Sequence, residues 1–170
     1  LQLGPGPEIA IALQQGQIAA AVLSYRNALS FLERGWPILV NLTQTGFKYP
    51  PSCVAGSRAF IRKNPSTVDA FLKAYIEAIH MIKRDLNLTK RVYAKYYRES
   101  DAAVTDKVAR AYAELFKPIP NVPEEGIEVV IRDFASRRPL QKDLLKTSLY
   151  KDDGPLERII KEGWVNQLQR

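Results

Sequence analysis

The sequence predicts an α/β fold, a parallel sheet flanked by helices with a helix-rich C-terminal half. Two observations predict it. Short apolar runs alternate with helical segments over the first forty or so residues, the pattern of a parallel sheet with right-handed crossovers. From Pro65 onward the apolar residues recur at helical spacing almost without interruption.

Residues 1–3 form an apolar stub that reads as a strand, closed by Gly4-Pro5-Gly6-Pro7, a clear break. Pro7 suits a first helical turn, Glu8 suits the positive end of the helix dipole, and Gly16 suits the C-terminal stop. The run 18–23 is continuously apolar and too short for a helix, as in a strand buried on both faces. A short helix over 27–33 stopped by Gly35, and a strand over 37–42, complete the alternation. The Pro-rich stretch 47–52 reads as an extended crossing, because a residue before proline avoids the helical region. The stretch 52–61 alternates loosely and is expected to be another strand.

The remainder is expected to be helical. Pro65 follows Asn64 at a helix start, with Ser66 and Asp69 at capping-box spacing. Val68, Phe71, Leu72, Tyr75, Ile76, Ile79 and Ile82 make a sustained helical stripe. Further helices are expected over 89–98, over 101–116 before Pro118 and Pro120, from Pro123 to Pro139, and over 156–162 before Gly163, Trp164 and Val165.

The chain has 25 Lys and Arg against 18 Asp and Glu, for a net charge of +7. The first fifty residues are nearly balanced, and the densest basic stretch is 83–98. That stretch interleaves with Tyr93, Tyr96 and Tyr97, which raises nucleic-acid binding by stacking beside phosphate contacts. The simpler expectation is that Val92, Tyr93, Tyr96 and Tyr97 face inward while the Lys and Arg stems snorkel around them. No nucleic-acid motif accompanies the run, so no nucleic-acid partner is expected.

Little in the composition points to chemistry. Cys53 is the only cysteine and His80 the only histidine. An internal disulfide and a zinc site are therefore excluded, and no metal or other cofactor is expected. His80 lies on the apolar stripe of the longest helix, where packing is expected rather than a role in a nucleophilic triad. The segment 4–8 lacks the third glycine and the acidic partner of a dinucleotide fingerprint. No apolar run reaches the roughly 18 residues that span a bilayer.

The order of features resembles a family. The segment 8–18 followed by Ala20, Ala21, Val22, Leu23 and Ser24, Gly35 ahead of 38–42, Tyr49-Pro50, Arg58 to Phe60, Asn64 to Val68, and Phe71 to Ala74 are together similar to ABC-transporter solute-binding proteins of the nitrate, sulfonate and taurine type. Asp153, Leu156, Gly163 and Trp164 resemble that family's closing element. Ala19 departs from the pattern, which usually has Asp there.

The resemblance implies part of a two-lobed type II periplasmic-binding-protein fold. Residues 1–48 would belong to the second lobe, 49–55 would be the return crossing, and 56–170 would complete the first lobe, whose opening part would lie upstream of Leu1. It implies a non-enzymatic, periplasmic or lipid-anchored protein that closes on a small solute and docks on membrane permease subunits. An enzyme on the same fold, related to thiamine-pyrimidine synthases, is the alternative. A sheet lacking its central strands would expose an unpaired edge, so a domain-swapped or two-segment assembly is expected.

Ligands in such sheets bind at strand C-termini and helix N-termini. The candidate ligand residues are Gly6 and Pro7, then Ser24, Tyr25 and Arg26, and then Tyr49 and Ser52 in the crossing. Ser24 is either a helix cap or a donor to ligand. Arg26 is either a surface charge or a bidentate partner for sulfonate, carboxylate or phosphate. Tyr49 is either a ligand contact or a hinge packing residue.

Overall fold

Over 18–23 and 37–42, where the sequence predicts strands, the backbone is irregular. The computed structural model describes residues 6–46, 48 and 53–168. Of these, 65% are helical and none lies in a β-strand, so the predicted α/β parallel sheet, and with it the two-lobed fold, is corrected to an all-helical architecture. The predicted strand at 1–3 and most of the crossing at 47–52 lie outside the described residues.

The physical reason is pairing. A strand exists only through hydrogen bonds to a neighbour. The apolar runs 18–23 and 37–42 have no neighbouring strand among the described residues. They remain irregular and leave Val22, Ile38, Leu39 and Val40 exposed. The expected strand at 52–61 is corrected too. Its second half begins a helix, α3 (Arg58–Lys63), because the Ser57 side chain caps it by accepting from the Phe60 N–H at 3.1 Å.

The helical expectations fare better. In chain order the helices are α1 (Gly6–Gln14), α2 (Tyr25–Glu33), α3, α4 (Pro65–Arg84), α5 (Leu86–Tyr97), α6 (Ala102–Leu115), α7 (Glu124–Arg137), α8 (Gly154–Lys161) and α9 (Trp164–Gln167). Two short 3-10 turns occupy Lys142–Leu145 and Thr147–Leu149. Gly16 and Gly35 end α1 and α2 with φ of 70° and 79°, a left-handed turn that costs glycine little. At α4 the capping box does not form. The helix opens at Pro65, where a missing N–H costs nothing, and Asp69 instead accepts from Arg158 of α8 at 2.8 Å.

The chain folds as two compact units. The first comprises Leu1–Asn41 and Asp85–Leu115. Its core is Leu29 of α2, Tyr93 of α5 and Val108 of α6, with Val104 and Tyr112 packed against them. Ion pairs Lys107–Glu33 and Lys90–Asp106 tie α6 to α2 and to α5 at the rim. The second comprises Leu42–Arg84 and Phe116–Arg170. Here Ile76 of α4, Ile159 of α8 and Val165 of α9 are buried, with Leu72, Leu156 and Trp164 around them. The buried face of α4 is thus narrower than its apolar stripe. Phe71 and Tyr75 lie outside it, half exposed and stacked on each other at 6.2 Å.

Candidate functional site

The start of α2 collects most of the predicted ligand residues. Ser24 precedes the helix in extended conformation, and its hydroxyl makes no capping hydrogen bond, so it stays available. Tyr25 and Arg26 form the first turn. Gly6 and Pro7 open α1, and Gly6 lies so close to α2 that a Cβ there would meet the Asn27 Nδ2 at 2.5 Å. Gly6, Ser24, Tyr25 and Arg26 are therefore brought to one end of the α1–α2 pair. Tyr49 and Ser52 lie outside the described residues.

Arg26 is the chemically distinctive group. Its Nε donates to the Tyr93 hydroxyl at 2.6 Å, and its guanidinium carbon sits 4.7 Å over the centre of the Tyr97 ring. Tyr93 and Tyr97, one turn apart on α5, stack on each other at 4.6 Å and 25°. Tyr112 of α6 completes the cluster. Burial pushes its hydroxyl above the ordinary tyrosine range, Tyr97 and Tyr93 push it further, and Arg26 opposes them.

This arrangement leaves the charge of a half-buried guanidinium uncompensated. Tyr93 is a neutral acceptor, and no carboxylate pairs with Arg26 among the described residues. A planar fork held at Nε and stacked on a ring is fixed in orientation, and its remaining N–H groups match the oxygens of a carboxylate, sulfonate or phosphate. Two grooves, of about 220 Å³ beside Thr147 and Lys151 and of about 300 Å³ beside Arg91 and Thr105, are lined by none of the predicted ligand residues.

Sequence reasoning missed the tyrosines as partners of Arg26. It placed Val92, Tyr93, Tyr96 and Tyr97 together on an inward face. Only Tyr93 is buried, while Val92, Tyr96 and Tyr97 are exposed. The four-residue spacing of Tyr93 and Tyr97 was the available signal for a stacked pair.

No comparable chemistry assembles elsewhere among the described residues. Among the described residues no cluster of His, Cys, Asp or Glu is arranged to hold a metal. His80 is buried on α4 as expected, but its Nε2 has no hydrogen-bond partner among the described residues. Cys53 is exposed. No described helix is long and apolar enough to cross a membrane. No protein-family model, curated protein or solved structure matches the chain.

Proposed function

We propose that this chain is the solute-binding component of a bacterial ABC importer, and that it holds a small anionic solute on Arg26 without transforming it. The observation that carries the binding is the uncompensated guanidinium, held by Tyr93 and stacked on Tyr97. Gly6, Ser24 and Tyr25 beside it supply backbone, hydroxyl and ring contacts. The importer role is supported by the order of sequence features from Glu8 to Trp164 described above. The lobed cleft of that family plays no part in this reading, because the site is built on helices of one unit.

The test is a thermal-shift screen of the chain against sulfonates, nitrate, aromatic carboxylates and pyrimidines, followed by recovery of the solute. A ligand at 100 times its dissociation constant stabilises by about 2.7 kcal/mol, a shift of several degrees. The expected result is a shift with an anionic solute, its loss in Arg26→Ala, and recovery of the solute unchanged. An equal shift in the variant would remove Arg26 from the site. A chemically altered solute would replace binding with catalysis, and no shift with any solute would overturn the reading.

A further inference from the structure

We propose that the outer face of α5 docks on an anionic lipid surface. Helical geometry lays its exposed residues in two adjacent rows. Val92 and Tyr96 form one row at four-residue spacing, and Arg91 and Lys95 form the next. Tyr96 is 74% exposed and Val92 45%. Lys95 Nζ lies 5.6 Å from the centre of the Tyr96 ring, so a cation sits directly over the most exposed aromatic of the helix.

The charge on this face is uncompensated. Asp106 of α6 takes Lys90, on the inner flank, at 3.1 Å. Arg91, Lys95 and Arg98 have no carboxylate partner among the described residues. Arg98 closes the helix with φ of 52°, its N–H bound to the Ala94 carbonyl. Glu99, next to Arg98 in sequence, accepts from the Asp101 N–H at 3.1 Å.

An apolar row edged by free cations is complementary to an anionic bilayer. Val92 and Tyr96 reach the boundary between headgroups and acyl chains, and Arg91, Lys95 and Arg98 meet phosphates. A single-stranded nucleic acid fits less well, because successive bases need successive open rings. Tyr97 is already engaged by Arg26 and stacked on Tyr93, and Lys95 sits over Tyr96, so this helix offers no run of successive unoccupied rings. Docking on α5 involves different side chains from solute binding at Arg26 and does not rest on it.

The test is co-sedimentation of the full chain with vesicles of phosphatidylcholine alone and of phosphatidylcholine mixed with phosphatidylglycerol, at low and high salt. Binding to the anionic vesicles only, weakened by salt, is expected. Arg91→Glu with Lys95→Glu should weaken it by about twentyfold or more, at about fivefold per basic residue. Tyr96→Ser should weaken it without changing net charge. Lys142→Glu with Lys161→Glu, the same charge change in the other unit, should leave α5 docking largely intact. Equal binding to neutral vesicles, equal loss in the control pair, or persistence in both α5 variants would overturn the proposal. Displacement of the vesicles by a single-stranded oligonucleotide would transfer the surface to nucleic acid. Helicity by circular dichroism verifies each fold, and should the double charge reversal unfold, Tyr96→Ser decides the outcome.

Discussion

Arg26 and Tyr93 lie 67 residues apart and meet at 2.6 Å, the guanidinium Nε donating to the phenolic oxygen. The contact joins α2 to α5 beside the core formed by Leu29, Tyr93 and Val108. It also decides what Arg26 can do, because a neutral acceptor orients the guanidinium without neutralising it. Tyr93→Phe should cost about 1.5–3 kcal/mol of stability, as expected for a hydrogen bond to a charged group. Arg26→Lys keeps the charge and loses the fork, and should weaken anion binding by about tenfold to a hundredfold. Calorimetric titration of both variants with the solute found by screening checks this. Unchanged affinity in Arg26→Lys would mean that only charge matters there.

Tyr112 gives the first unit an alkaline limit. Burial, then Tyr97 and Tyr93, raise its folded value above the ordinary one, while Arg26 pulls the other way. The sign follows from linkage: the neutral phenol contributes stability that is fully present below the unfolded value of about 10 and is lost as pH rises through the folded value. Tyr112→Phe should therefore flatten the alkaline fall in melting temperature. An identical fall in the variant would assign it to other groups.

The acid limb has a counterpart at Asp106. Hydrogen bonds from Arg110 and then Lys90 lower its carboxyl below the ordinary range. Its contribution is present above the unfolded value and is lost as pH falls through the folded one. The group lies at the rim with its side chain 33% exposed, so the effect is small and screened by salt. Asp106→Asn should reduce the acid-side slope of a urea midpoint measured at low salt and change little at high salt.

What the sequence made legible was local. Pro65, Gly16, Gly35 and the stripe through Ile76 and Ile79 mark helix starts, stops and faces by chemistry within one or two turns, and these positions behave accordingly. The strands were not legible, because the residues of 18–23 and 37–42 have strand character while strand formation needs a partner that no local pattern names. The Arg26 site was half legible. Ser24, Tyr25 and Arg26 are contiguous, but Tyr93, Tyr97 and Tyr112 reach them through packing of α5 and α6 across long sequence separations. Asp69 shows the same limit, since capping-box spacing could not reveal Arg158 as its partner.

The second unit depends on Ile159. Its side chain is 0% exposed and packs with Ile76 and Val165. Ile159→Ala should cost about 2–5 kcal/mol, combining lost transfer energy with the cavity left behind. Ile160, the next residue, is 40% exposed. Its substitution by Ala should cost less than about 1 kcal/mol, within the range of surface changes plus partial burial. Urea denaturation of both variants gives the contrast, and similar costs would mean that α8 packs through a different face.

The apolar run after Gly35 should govern self-association. Ile38, Leu39 and Val40 are 58%, 76% and 61% exposed, with no charge from Trp36 to Gly46. The backbone there is irregular rather than helical. Residues of this type, uncharged and of high strand propensity, pair readily with another extended segment. Light scattering at rising protein concentration should therefore show association. Ile38→Lys with Val40→Lys should suppress it by placing cations on alternate residues, where they would face each other in any paired strand. The same substitutions remove no buried contact, so the melting temperature should hold. Association that persists in the double variant would move the sticky surface elsewhere, to Phe71 and Tyr75 on α4 or to Val92 and Tyr96 on α5, and the corresponding Lys substitutions would then separate those two.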